Sequence, residues 1–149
     1  MKKILFLLLS TSLFIACNQG PEKSKTETLD SHSSEPTSEL ALNNGSKWKA
    51  DSVTNYNVTN LRSIADNFKI KSTPSISDYK KLSANLTSGL NKMIKECKMT
   101  GADHDALHIW LEPVLKENTE LKTSTDTGIS GTIFNSIDKR LYNYFNYFE

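Results

Sequence analysis

The sequence is poor in the residues that cross-link and punctuate a chain. Its 149 residues include two cysteines, four prolines and six glycines, and the formal net charge is only +1. Two cysteines cannot make a disulfide-dense scaffold. So little Gly and Pro excludes a collagen-like chain. A charge this near zero argues against nucleic-acid binding through phosphate neutralisation, which needs a concentrated basic surface. No glycine-rich phosphate loop, Gly-x-Ser-x-Gly elbow or His-Glu-x-x-His occurs, so no enzymatic activity is expected. What remains is enough apolar residue, 37% of the chain, for one folded domain and not two.

The N-terminus is an address. Lys2 and Lys3 precede a 13-residue, largely apolar run, residues 4–16, interrupted by Ser10, Thr11 and Ser12 and followed by Cys17. That run is shorter than the roughly 20 residues a helix needs to cross a bilayer, and it has the order of a secretory signal peptide. Leu13-Phe14-Ile15-Ala16-Cys17 resembles the lipobox of bacterial lipoproteins, with Phe14 where Leu is usual. The resemblance implies a lipoprotein signal peptide over 1–16, cleavage after Ala16, and acylation of Cys17 with palmitate-type chains. Several chains together give stable membrane anchoring. The expected location is the bacterial cell envelope, lipid-anchored, with the folded domain outside the cytoplasm.

Composition then divides the remainder. Residues 17–44 are rich in Ser, Thr and acidic side chains, with Pro21 and Pro36, and hold few apolar residues beyond Leu29, Leu40, Ala41 and Leu42. Such a segment buries too little to offset its ordering entropy, so a disordered tether is expected, and His32 within it reads as a solvated side chain. Residues 45–149 carry helical periodicity instead.

Leu61, Ile64, Ala65 and Phe68 make one stripe on a helix over 52–69, ended by Thr73-Pro74. Ser75 and Asp78 have capping-box spacing, and Tyr79, Leu82, Leu86, Leu90, Met93 and Cys97 continue a second stripe. Gly89 inside that helix points to close approach of a neighbour. Gly101 supplies a turn, Asp103 opens a third helix running to 122, and Pro113 is expected to kink it. The fourth helix spans 128–147, with Phe134, Ile137, Leu141, Tyr144 and Phe148 in rhythm. Short connections make consecutive helices antiparallel, so the expected fold is all-α, an up-down-up-down four-helix bundle.

One hairpin can carry chemistry. Cys97, Met99, His104 and His108 fall within 12 residues where the second helix ends and the third begins. His104 and His108, at i and i+4, stand one turn apart on one helix face. Cys97 has no disulfide partner if Cys17 is acylated, although export leads to a compartment that is usually oxidising. Thiolate, thioether and imidazoles suit copper, and Cys with two His suits zinc. Asp105 is placed to orient the second ring nitrogen of His108. The alternative is structural: Cys97 a small core residue, Met99 a plug, and the histidines hydrogen-bonded within the bundle. Haem is not expected, since Cys-x-x-Cys-His is absent. The topology brings Trp48, Tyr142, Tyr144, Phe145, Tyr147 and Phe148 to the same pole. They would form either an aromatic plug or a hydrophobic wall around a ligand.

Lys47-Trp48-Lys49-Ala50, the run Cys97-Lys98-Met99-Thr100-Gly101 followed by His104-Asp105-Ala106-Leu107-His108-Ile109-Trp110-Leu111, and the ending Tyr144-Phe145-Asn146-Tyr147-Phe148-Glu149 resemble small, uncharacterised bacterial lipoproteins with a helical domain. The resemblance implies class and location, not an activity. Two functional expectations follow. One is an anchored lipoprotein binding copper or zinc through Cys97, His104 and His108, with Met99 as a weak ligand. The other is a non-catalytic structural or protein-interaction lipoprotein with no metal, whose only defined partner is the lipid bilayer.

Overall fold

Three of the four helices start where a side chain takes up a free N–H group. The computed structural model describes residues 39–149; the expected signal peptide, Cys17 and most of the expected tether lie outside the described residues. Helix α1, Ser52–Lys69, is capped by Asp51, whose carboxylate accepts the Thr54 N–H at 2.6 Å. Helix α2, Ile76–Glu96, opens with the expected capping box: Asp78 N–H donates to Ser75 Oγ at 3.3 Å, and Ser75 N–H donates to Asp78 Oδ2 at 3.0 Å. Helix α4, Thr127–Tyr147, uses Asp126, which accepts the Ile129 N–H at 2.8 Å.

Helix α3, Gly101–Thr123, is the exception. Its cap residue Thr100 makes no side-chain cap bond, and Gly101 turns the chain at φ +67°. A positive φ suits glycine, which has no Cβ to clash. Asp103 lies in the first turn, and the helix continues through Pro113.

α1 packs on α2 and α4, and α3 packs on the same two helices. This is the expected antiparallel up-down-up-down bundle. From the expected stripes Leu61, Leu86, Leu90, Ile137 and Leu141 are almost fully buried, and Val58, Val114 and Leu121 join them in the core. Among the described residues every buried side chain comes from residues 54–148, within the one compact unit formed by residues 36–149. A Cβ on Gly89 would come within 2.7 Å of Leu61 Cδ2, which accounts for the glycine at the α1–α2 contact.

On α3 the buried face is Leu107, Trp110, Leu111, Val114 and Leu121. The row formed by His104, His108 and Leu115 runs along its margin, with Leu115 exposed.

Among the described residues no strand forms, only isolated bridges. They shape the entry to the bundle. Asn43 and Ser46 exchange backbone hydrogen bonds of 2.9 Å around Asn44 (φ +51°) and Gly45 (φ +88°), two left-handed residues in a tight turn. Leu40 packs against the core, and Trp48 Nε1–H donates to the Ala41 carbonyl at 2.8 Å. Ordered structure therefore extends across the boundary between 44 and 45 that composition suggests. Two consecutive left-handed residues and one indole bond fold the last stretch of the expected tether onto the domain.

Residues 48–50 then run parallel to the chain end. Trp48 N–H donates to Tyr147 O at 2.8 Å, Glu149 N–H to Trp48 O at 3.0 Å, and Ala50 N–H to Glu149 O at 2.9 Å. An ion pair between Lys49 and Glu149 closes this strap.

Candidate functional site

The strap lies at the pole where α2 ends and α3 begins, and it holds both flanks of that connection. Lys49 N–H donates to Asp103 Oδ1 at 2.9 Å, one residue before His104. Asp51 Oδ2 accepts the Lys98 N–H at 2.7 Å, one residue after Cys97. Burial acts to raise the Asp51 carboxyl. The N–H bonds from Thr54 and Lys98 outweigh it and hold the group below the usual carboxylate range. The connection 97–100 is thus fastened at both ends.

Beside it stand the two imidazoles. His104 Nε2 and His108 Nε2 are 3.2 Å apart, with ring centroids at 4.5 Å and planes at 76°. That is hydrogen-bond distance, with the donor and acceptor set by the ring tautomers. His104 is half-buried and His108 is exposed. Both line a hollow of about 50 Å³ whose remaining wall is Met93, Ile94, Cys97, Leu107 and Leu111. It has room for an ion with a water or two, an order of magnitude below a typical ligand pocket.

The sequence-derived set divides here. Cys97, half-buried and without a disulfide partner among the described residues, shares the hollow with both histidines. Among the described residues, however, no three His, Cys, Asp or Glu side chains stand close enough together to form a metal-binding group as placed. Met99 packs on the core, and the thioether at the hollow belongs to Met93, on the last turn of α2. Met93 was readable as a candidate, since it precedes Cys97 by four residues on the same stripe. Asp105 is exposed, and among the described residues no hydrogen bond joins it to either imidazole.

The aromatic cluster also divides. Tyr144 and Phe148 are fully buried and stacked at 4.6 Å, with Trp110 edge-on to Tyr144 at 4.8 Å. Trp48, Phe145 and Tyr147 are half-buried around them. Tyr142 is 65% exposed and carries Arg62 over its ring at 5.0 Å. It follows Leu141 by one residue, about 100° around the helix and away from the core. Burial, and then the charges of Asp51 and Cys97, push the Tyr144 phenol well above its usual range. The aromatics therefore plug the pole directly behind Cys97.

No family model, no curated protein and no solved structure matches the chain.

Proposed function

We propose that this protein is a lipid-anchored envelope lipoprotein whose helical domain binds copper or zinc, without catalysis, at the α2–α3 hairpin. The observation that carries the metal reading is the 3.2 Å separation of the two Nε2 atoms. Two imidazole nitrogens bound at about 2.0–2.1 Å to one ion lie about 2.9 Å apart at a right angle and about 3.4 Å apart at the tetrahedral angle. The pair already has that spacing. Both Nε2 atoms must be free of protons to ligate a metal, and the Cys97 thiol must lose its own, so affinity falls with falling pH.

Cys97 supplies the third donor by rotation of its side chain within the hollow, and Met93 lends a soft thioether wall favouring Cu(I). The anchor rests on the residues around Cys17, which resemble a lipobox.

The test is elemental analysis and titration of residues 39–149 with Zn(II) and Cu(I). One equivalent is expected for the wild type, weakened binding for Cys97→Ser, and none for the His104→Ala/His108→Ala double variant. Equal uptake by the double variant, or none by the wild type, overturns the metal reading. Mass spectrometry of chain recovered from membranes is expected to find acylated Cys17 as the first residue; an unmodified Cys17 refutes the anchor. A second reading, a metal-free interaction domain, is favoured by the exposed Tyr142 beneath Arg62.

A further inference from the structure

The outer face of α2 has a charge pattern that the hairpin does not use. Lys80, Lys81, Lys92 and Lys95 are all exposed, and at 100° per residue they fall within an arc of about 120°. They span about 22 Å of helix. Between Asp78 and Glu96 the helix carries no acidic residue, and the side chains within the lysine arc are Ala84, Ser88 and Asn91. Among the described residues none of the four lysines is in an ion pair. The rest of residues 45–149 carries ten basic and twelve acidic residues, so the positive charge is segregated onto this one face.

We propose that the outer face of α2 docks on an anionic phospholipid surface. A protein partner would need an apolar centre of close packing, and among its lysines this face offers one alanine methyl, a hydroxyl and an amide. A nucleic-acid strand is held by a groove that follows its backbone, whereas these lysines stand along a convex helix. A planar array of negative headgroups meets all four together. Lys92, poised 5.9 Å over the exposed Tyr56 ring, adds an aromatic at the edge of the face, a residue type suited to the headgroup level. The docking requires neither the metal nor the acyl anchor. It lays the α2–α3 hairpin close to the bilayer.

The test is vesicle co-sedimentation of residues 36–149, the compact unit that carries the four helices. Binding is expected to vesicles of equal phosphatidylglycerol and phosphatidylcholine and not to phosphatidylcholine alone. Raising the salt from about 0.05 to about 0.5 M should abolish it. Each lysine near such a surface is worth about fivefold in partitioning, so Lys80→Gln/Lys81→Gln should weaken binding about 25-fold. Lys116→Gln/Lys122→Gln on α3, with the same change of net charge, should leave it nearly unchanged. Circular dichroism checks that both pairs remain helical. Equal losses from the two pairs, absence of binding to the anionic vesicles, or tighter binding to duplex DNA than to vesicles would each overturn the proposal.

Discussion

Replacing Gly89 with alanine sets two opposing effects against each other at one contact. In a helix interior the change gains about 1 kcal/mol of propensity. The new Cβ, however, would stand 2.7 Å from Leu61 Cδ2 and 3.6 Å from Ile64 Cδ1. Carbon atoms pack at about 3.5–4.0 Å, so Leu61 has to retreat by roughly 0.8 Å. It is fully buried, and overpacking of this kind costs about 1–3 kcal/mol.

The expected result is a net loss of up to about 2 kcal/mol, a fall in Tm of several degrees for a domain of this size. Gly131 is the internal comparison. Its added Cβ would meet only the Tyr79 hydroxyl, at 3.3 Å, and Gly131→Ala is expected to stabilise by about 0.5–1 kcal/mol. Urea titration followed by far-ultraviolet circular dichroism measures both. In a Leu61→Ala background the clash disappears, so the double-variant cycle should show a coupling of about 1 kcal/mol or more. If Gly89→Ala stabilises the wild type as much as Gly131→Ala does, α1 and α2 are not in close contact there and the reasoning fails.

Three further outcomes follow from buried polar groups. Among the described residues the buried Tyr144 hydroxyl has no hydrogen-bond partner, so Tyr144→Phe should leave stability unchanged or raise it by up to about 1 kcal/mol; a clear loss in urea titration would contradict this. Asn118 Nδ2 donates to Thr87 Oγ1 at 2.9 Å and to Ser83 O at 3.3 Å between α3 and α2, so Asn118→Ala should lower the unfolding free energy by about 1–3 kcal/mol. Asp51 has a depressed carboxyl pKa in the folded state. Its contribution is therefore present above the unfolded value of about 3.9 and is lost as pH falls through the folded value. Asp51→Asn should flatten that part of the acid-unfolding curve, and an unchanged curve would show that the carboxylate is not what the Thr54 and Lys98 N–H groups hold.

What was legible in the sequence was local. Ser75 and Asp78 announce a cap because the bonds lie three residues apart, and His104 and His108 meet because i and i+4 share a face. The glycine at 89 was readable too, since only packing explains its place in a helix. The strap was not. Backbone hydrogen bonds between residues about 100 apart in sequence leave no periodicity at either end.

Met99 and Tyr142 show a second limit. Nearness in sequence to the pole suggested that both would reach it. Side-chain direction decides instead, and it sends Met99 onto the core and Tyr142 into solvent while bringing in Met93. Whether Cys97 joins the two histidines depends on a rotation that no residue spacing encodes.

The parallel strap also determines how the domain bears mechanical load. A pull on the chain ahead of residue 39 does not reach a helix end first. It meets the Leu40 packing and the Trp48–Ala41 indole bond, and then Trp48–Ala50, where three backbone hydrogen bonds tie the entry to the chain end. While they hold, the four helices feel little of the tension. When they yield, the Lys49–Asp103 and Asp51–Lys98 fastenings come next in line, and the hairpin bearing Cys97 and the two imidazoles is the first part of the bundle to loosen.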